Sequence, residues 1–222
     1  MGKVLGALTI GQSPRTDLIP EVQTILGPGV DVIEAGALDG MTLDEVREIA
    51  PGPGDQVLVT RMADGTPVKI AEGRILPRMQ RQIEKLVERG ADIIALMCTG
   101  EFPDFRCKKL IVRPQKVLYH LVAAVSAGLS LGVLVPDEDQ VDHAERRWRG
   151  AAARVKAEAA SPYGSPDVVR SSSAKLKEWG ADLMVMDCIG YTLQMKESVR
   201  KETGLSVMLA RSVVARVLME LL

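Results

Sequence analysis

Residues 90–100 read GADIIALMCTG, and residues 180–190 read GADLMVMDCIG. Both stretches begin with Gly-Ala-Asp, continue with a short apolar run and end in Cys-X-Gly. The match extends upstream, since residues 85–88 and 175–178 share Lys, Leu and Glu at the same spacing. A repeat that includes a helix end, a turn and a strand predicts two copies of one structural unit.

The composition is that of a folded protein without a strong charge. The chain has 222 residues, of which 46% are hydrophobic and 3% are aromatic, so aliphatic side chains must build the core. The net charge of −1 lacks the basic excess typical of nucleic-acid-binding proteins. The longest apolar run, residues 121–136, is too short to span a membrane, and no signal peptide is indicated. Three cysteines without a CxxC pair indicate a reducing compartment, so we expect a cytoplasmic protein.

Short apolar stretches alternate with helical patterns, which is typical of parallel sheets covered by helices. Strands are expected at residues 4–10, 30–35, 92–97, 110–112, 131–135 and 205–209, and in the run that ends at Cys188. The predicted fold is α/β, with two similar lobes of mostly parallel sheet flanked by helices. We expect a pseudo-twofold axis between the lobes and a cleft between them. The lobes are placed at residues 1–128 and 129–222, although the terminal helix could return to the first lobe.

Three helices are predicted from local signals. Ser13 and Pro14 follow the first strand and are predicted to be the N-cap and the first residue of a helix that ends near Gly27. Residues 42–45 form a capping box that opens a short helix. An Ala-rich stretch with acidic residues at its start predicts one long helix over roughly 139–159.

Cys98 and Cys188 both lie where a predicted parallel strand ends. Ligands of such sheets bind outside the carboxyl ends of the strands, so two thiols could face each other across a ligand. This arrangement suits removal of a proton from one face of a carbon and its return to the other. One thiol, with an ordinary pKa of about 8.5, would have to become a thiolate. The alternative is that both cysteines are small buried core residues.

A loop with glycine and threonine follows each cysteine and leaves backbone N–H groups free for a carboxylate or an oxyanion. The candidate substrate-binding residues in these two loops are Thr99, Gly100, Gly190, Tyr191 and Thr192.

A second candidate cluster follows the first strand, where residues 9–15 read TIGQSPR. The glycine would let a ligand approach, the predicted helix N-terminus would bind an anion, and the arginine would pair with a carboxylate. A well-capped helix with a surface arginine is the alternative. Arg61 ends another apolar strand at the same rim, and Asp64-Gly65 after it predicts a hairpin turn. The candidate substrate-binding residues here are Thr9, Gly11, Gln12, Ser13, Arg15 and Arg61.

Other reactive residues carry weaker signals. Cys107 lacks a counterpart in the second half, and His120 and His143 lack metal-ligand spacing to a cysteine, so no metal site is expected. No GxGxxG or GxxxxGK[ST] motif is present, so no nucleotide cofactor is expected.

Four motifs together resemble those of the AroM family, and they lie in register over essentially the whole chain. They are TIGQSPR (9–15), VTRMADGT (59–66), MCTGEFP (97–103) and DCIGYT (187–192). The biochemical activity of that family is not established. Its name implies a link to aromatic biosynthesis genes and therefore a context, but no reaction.

The two-lobed plan with one cysteine from each lobe is also similar to the aspartate/glutamate/hydantoin racemase superfamily, which includes maleate isomerases and arylmalonate decarboxylases. This resemblance implies that Cys98 and Cys188 are the catalytic pair, and that Thr99, Thr192 and the loop after the first strand bind substrate. Amino-acid racemases commonly have Cys-Asn-Thr where this chain has Cys-Thr-Gly, and Asp-Ser or Asn-Ser where it has Gln-Ser. The two-thiol chemistry therefore carries over better than the amino-acid substrate.

The sequence thus predicts a cofactor-independent racemase or isomerase of a small carboxylate or amino acid. Two alternatives remain open: a cysteine-dependent decarboxylase or cis–trans isomerase, and a non-catalytic small-molecule-binding protein linked to aromatic biosynthesis. The expected partner is a small anionic substrate, with no nucleic acid and no membrane, and a homodimer is left open.

Overall fold

The computed structural model describes residues 2–222. The chain divides into two compact units. The first contains the residues up to Pro114 together with Ala215–Leu222, and the second contains Gln115–Val214. The boundary between residues 128 and 129 that the sequence suggested for the folding domains stays a prediction.

The first unit is built on a four-stranded parallel sheet. Its strands are β1 (Lys3–Thr9), β2 (Val30–Gly36), β5 (Ile93–Leu96) and β6 (Leu110–Val112), in the order β2–β1–β5–β6. The register places Leu5 between Val32 and Ile93. Its helices are α1 (Ile19–Leu26), α2 (Leu43–Arg47) and α3 (Glu72–Glu88). Helix α3 packs on β1, β2 and β5 through an apolar stripe, which closes the core of this unit.

An antiparallel hairpin is added to the first unit between α2 and α3. Strands β3 (Val57–Arg61) and β4 (Pro67–Ala71) pair across the turn at Asp64-Gly65, and Gly65 has a φ of 89°. The predicted hairpin is thereby confirmed. The predicted capping box is also present, because the Thr42 side chain accepts from the Glu45 N–H while the Glu45 side chain accepts from the Thr42 N–H.

The second unit repeats the parallel sheet. Its strands are β7 (Ser130–Val135), β8 (Arg154–Ala159), β9 (Leu183–Met186) and β10 (Ser206–Leu209), in the order β10–β9–β7–β8. Its helices are α4 (Pro114–Ser126), α5 (Val141–Trp148), α6 (Pro166–Trp179), α7 (Leu193–Thr203) and α8 (Ala210–Leu221), with a 3₁₀ turn at Glu138–Gln140. Residues 210–214 of α8 belong to this unit and its remainder to the first. The α/β fold with two parallel, helix-flanked sheets is as predicted.

The repeat in the sequence corresponds to a repeated local structure. Gly90 and Gly180 end α3 and α6 with φ values of 93° and 96°, a conformation that glycine adopts without strain. The aspartate two residues later then accepts from a backbone N–H at the beginning of the neighbouring strand. Asp92 Oδ2 accepts from Val4 at 3.0 Å, and Asp182 Oδ2 accepts from Ser130 at 2.9 Å. Each Gly-Ala-Asp therefore sets the start and register of one strand.

The prediction of a long helix over 139–159 is wrong. Helix α5 ends at Trp148, and residues 154–159 form β8, which pairs with β7 so that Leu131 lies opposite Val155. The Ala-rich sequence favours a helix, but backbone pairing with a buried strand outweighs that preference. The additional strand gives the second sheet the same connectivity as the first, with β8 in the position of β2.

The predicted helix start at Ser13 is also wrong, because α1 begins at Ile19. The Ser13 N–H donates to Asp39 Oδ1 at 2.7 Å, and its hydroxyl donates to Asp39 Oδ2 at 2.8 Å. These tertiary bonds hold Ser13 in a loop and use the groups that would have capped a helix. Among residues 2–222, none of the helices combines the length and hydrophobicity needed to span a bilayer.

Candidate active site

Both cysteines of the repeat lie just beyond the carboxyl end of a central strand. Cys98 follows β5 by two residues, and Cys188 follows β9 by two residues. The residue before each cysteine is fixed to the neighbouring strand, since the Met97 N–H donates to the Leu8 carbonyl and the Asp187 N–H to the Leu134 carbonyl. In parallel α/β sheets this edge is where ligands bind.

Each of the two thiols accepts one equivalent hydrogen bond from its own loop. The Gly100 N–H donates to Cys98 Sγ at 3.3 Å, and the Gly190 N–H donates to Cys188 Sγ at 3.3 Å. Both cysteines are reduced and partly buried, and so is Cys107, which has no place in the repeat. A hydrogen bond donated to sulfur stabilises the thiolate relative to the thiol.

In the first unit, the predicted residues Thr9, Gly11 and Arg15 are brought together after β1. Thr9 Oγ1 accepts from Arg15 Nη1 at 2.9 Å and from the Gly11 N–H at 3.2 Å. Gly11 lies directly against the end of β3, because a Cβ there would be 2.4 Å from the Arg61 carbonyl oxygen. Arg15 is 4% exposed, so its guanidinium is buried in this loop, and its predicted contact with a substrate carboxylate stays a prediction.

Asp17, which the sequence did not single out, connects the two arginines of this rim. Its carboxylate accepts from Arg15 Nε and Nη2 at 2.8 and 2.9 Å and lies 3.7 Å from Arg61 Nη1. Burial acts to raise the pKa of Asp17, but the Arg15 and Arg61 charges and hydrogen bonds outweigh it and hold that pKa below its usual value. Arg61 is the more exposed of the two arginines, with 29% of its side chain accessible.

Gln12 joins three loops at this rim. Its Nε2 donates to the Leu38 and Met41 carbonyls at 3.2 and 2.7 Å, and its Oε1 accepts from the Ala63 N–H at 2.8 Å. Ser13 bonds to Asp39, so the side chains of Gln12 and Ser13 are both bonded within the protein. Their assignment to substrate binding therefore stays a prediction.

In the second unit, the residues after Cys188 form a closed turn. Tyr191 is fully buried and donates its hydroxyl to the Ala160 carbonyl at 2.5 Å. Burial, and next the nearby charge of Cys188, raise the pKa of this phenol. Thr192 caps α7 by accepting from the Met195 N–H at 3.1 Å. The loops around both cysteines contain the predicted residues Thr99, Gly100, Gly190, Tyr191 and Thr192, of which Thr99 is also buried.

Asp187, the residue before Cys188, is a buried carboxylate that sequence reasoning missed. Its Oδ2 accepts from Trp148 Nε1 at 2.7 Å and forms an ion pair with Arg147. Trp148 is 1% exposed and packs beside Tyr119, with ring centroids 5.6 Å apart. The pair fixes α5 to the end of β9. Only the tertiary structure reveals it, since thirty-nine residues separate Asp187 from Trp148.

Glu72 is a second missed residue, at the first position of α3. Its Oε2 is buried and has no hydrogen-bond partner among residues 2–222. Burial, followed by the charge of Glu101, raises the pKa of Glu72 from 4.5 to about 7. Glu101 lies three residues after Cys98, so this carboxyl group titrates near neutral pH close to the first thiol loop.

We expect Glu72→Gln to stabilise the protein at alkaline pH and to leave it unchanged at acidic pH. The folded state binds the Glu72 proton more tightly than the unfolded chain, so the stabilisation is complete below 4.5 and is lost as the pH rises through about 7. Because the carboxyl group is partly solvated, screening limits the gain to about 1 kcal/mol. Urea denaturation at about pH 5 and about pH 8.5 measures the difference. A gain of equal size at both pH values would contradict the raised pKa.

Metal ligation finds no support in the arrangement of side chains. Within residues 2–222, His, Cys, Asp and Glu form no group of three that could hold a metal ion. His120 packs edge-on against Tyr119, with ring centroids 5.5 Å apart.

Comparison with solved structures finds the same fold in several enzymes. The aspartate racemase of Picrophilus torridus has a TM-score of 0.64 at 12% identity, with 99% of this chain and 94% of that chain covered. The maleate isomerase from Pseudomonas putida S16 has a TM-score of 0.63 at 11% identity, with 100% and 93% covered. An arylmalonate decarboxylase has a TM-score of 0.59 at 11% identity, with 98% and 92% covered. At these identities the likeness shows that the chain shares the fold of these enzymes.

Sequence comparison is more specific. No curated protein matches the chain. The family model described as AroM protein matches residues 5–222, which include both thiol loops and the loop after β1. The protein therefore belongs to the AroM family.

Proposed function

We propose that this protein is a cofactor-independent racemase or isomerase of a small carboxylate or amino acid, with Cys98 and Cys188 as acid and base. The observation that carries the proposal is the matched position of the two thiols at the carboxyl ends of β5 and β9. Each sulfur follows a central strand and accepts a backbone N–H at 3.3 Å from the glycine two residues later. Cys107 accepts a similar bond from the Lys109 N–H at 3.3 Å, so the support comes from the matched positions of Cys98 and Cys188 after two central strands.

In the proposed reaction, one cysteine begins as a thiolate and the other as a thiol. The thiolate takes the proton from the carbon next to the substrate carboxylate, and the electron pair of the C–H bond moves into an enolate. The thiol then gives its proton to the opposite face of that carbon and becomes the thiolate. Charge and protons balance, because each turnover exchanges the two protonation states. The reverse reaction restores them.

Arg61 is proposed to bind the substrate carboxylate. It is the partly exposed arginine of the first rim, and its contact with Asp17 is long at 3.7 Å. Arg15, buried and bonded to Asp17 and Thr9, is proposed to hold the loop in place. The residues Thr9, Gly11, Thr99, Gly100, Gly190, Tyr191 and Thr192 remain proposed parts of the binding surface, and the N–H groups of the three glycines already bond within the protein. We also infer a cytoplasmic location and an anionic substrate, and the homodimer stays a prediction.

Proton NMR in heavy water tests the proposal. The protein would be incubated with pools of amino acids, hydroxy acids and dicarboxylates while the α-proton signals are followed. We expect one compound to lose its α-proton signal or to give a new isomer, and the loss to be absent in a Cys98→Ala, Cys188→Ala double variant. Exchange that persists in the double variant would overturn the two-thiol mechanism.

A one-thiol reaction is the second candidate. Arylmalonate decarboxylase and maleate isomerase are among the structures with this fold. Decarboxylation or cis–trans isomerisation of a carboxylate would need one cysteine as acid or nucleophile.

The third candidate is a binding protein without turnover, linked to aromatic biosynthesis, since a fold does not determine function. The effects of single cysteine replacements distinguish these candidates.

A further inference from the structure

Arg211 is a buried arginine whose guanidinium binds the turn after Cys188. It lies in the first turn of α8 and is 1% exposed. Its Nε donates to the Ile189 carbonyl at 2.9 Å, and its Nη2 donates to the Gly190 carbonyl at 3.0 Å. Burying a guanidinium is costly unless its donors are bonded. The free-energy cost of burying Arg211 is therefore offset by its hydrogen bonds to the two residues that follow Cys188.

The peptide unit between Ile189 and Gly190 connects Arg211 to the sulfur. In a trans peptide the C=O and the N–H point in opposite directions. Here the carbonyl accepts from Arg211 Nε at 2.9 Å, while the N–H of the same unit donates to Cys188 Sγ at 3.3 Å. A positive donor on the carbonyl polarises the peptide and strengthens the bond that its N–H gives. Arg211 therefore acts on the sulfur through one peptide group.

The charges near Cys188 favour a negative sulfur. The carboxylate of Asp187 is matched by Arg147 and by the indole N–H of Trp148. Arg211 adds a second guanidinium to this neighbourhood. The phenol of Tyr191 is fully buried and bonded to the Ala160 carbonyl, so it contributes no negative charge at neutral pH.

A carboxylate lies close to Cys98 along the chain. Glu101 follows Cys98 by three residues, and its negative charge acts on Glu72. The guanidinium of Arg15 is matched by the bidentate contact with Asp17. Carboxylates near a thiol disfavour its ionisation, while guanidinium groups favour it.

We propose that Arg211 is a positioning residue that makes Cys188 the thiolate of the resting protein, while Cys98 is the thiol. Cys188 is thus the base and Cys98 the acid when the first turnover begins. The acid and base roles rest on the proposed function. The assigned ionisation states of Cys98 and Cys188 do not rest on it, because the reactivity of each thiol is measured without a substrate.

Alkylation by iodoacetamide across a pH series tests the assignment, with peptide mass spectrometry reporting each cysteine. The midpoint of the pH profile is the readout, because it reports ionisation independently of how accessible each sulfur is. We expect the wild-type midpoint of Cys188 to lie below that of Cys98. Arg211→Met should raise the Cys188 midpoint by about one unit, which lowers its alkylation about tenfold at neutral pH. Arg211→Lys, which keeps a charge and one donor, should restore part of the shift.

Two controls separate this effect from loss of structure. Cys98 is the internal control, because its midpoint should stay unchanged in every Arg211 variant. Arg200→Met is the matched control, since Arg200 is half-exposed and pairs with Glu197 on the surface. A wild-type Cys98 midpoint below that of Cys188 would overturn the proposal. So would a Cys188 midpoint that stays at the wild-type value in both Arg211→Lys and a folded Arg211→Met variant. An Arg211 effect without α-proton exchange on any substrate would instead refute the proposed function and leave the ionisation assignment standing.

Discussion

Cys188→Ala and Cys98→Ala are each expected to lower the rate of conversion of the substrate into its isomer by about a thousandfold, within the range for loss of a positioned acid or base. Both variants should fold normally, because the partly buried thiols bond only weakly through sulfur. Cys107→Ala is the matched control. Its sulfur accepts the Lys109 N–H at 3.3 Å in a loop outside the repeat, so conversion should remain at the wild-type rate.

The relative size of the two effects separates the candidate mechanisms. Two comparable losses support acid and base at Cys98 and Cys188. A loss confined to one of them would indicate the one-thiol decarboxylase or isomerase and contradict the racemase mechanism. In a binding protein, ligand would raise the melting temperature equally in the wild type and the double variant. Full racemisation or isomerisation activity in either single variant would exclude the two-thiol reaction.

Asp187→Ala is expected to destabilise the protein by about 3–5 kcal/mol, the cost of removing one partner of a buried ion pair. The substitution leaves Arg147 without its carboxylate and the buried Trp148 Nε1 without its acceptor. A buried donor that loses its partner costs more than the net value of the bond itself. This single change should therefore consume a large part of the free energy of unfolding.

Asp167→Ala is the control for that prediction. Asp167 also pairs with an arginine, Arg170, but the two side chains are 75% and 49% exposed. A surface pair of this kind contributes about 0–1 kcal/mol. Urea denaturation of both variants, compared with the wild type, measures the difference. Equal destabilisation by the two substitutions would show that the buried Asp187 pair contributes no more to stability than the surface pair.

The alternation of strands and helices was sufficient to predict the fold class. The hairpin at Asp64-Gly65 and the capping box at Thr42 were predicted because their signals lie within four residues of the structure they produce. Residues 154–159 were assigned to a helix because local propensity favours one. Their strand exists through pairing with β7, a contact that local sequence does not encode.

The candidate site shows the same division between local and tertiary information. The cysteines could be found because a repeat marks them, and the repeat is visible in the sequence. The sequence alone could not identify Asp17, Glu72 and Arg211, since their importance depends on neighbours that only the fold brings close. Arg211 is more than twenty residues from the carbonyls it binds. Ser13 was assigned to a helix cap because Asp39, its actual partner, is remote in sequence.

The division of α8 has a consequence for synthesis on the ribosome. Residues 215–222 belong to the first unit, yet they follow the whole of the second unit in the chain. Domains generally fold in the order in which they emerge during translation. Here the first unit receives its final helical segment, with the buried Ala215 and Leu218, only after residues 115–214 have been made. The first unit therefore lacks its last helical segment until the whole of the second unit has been synthesised.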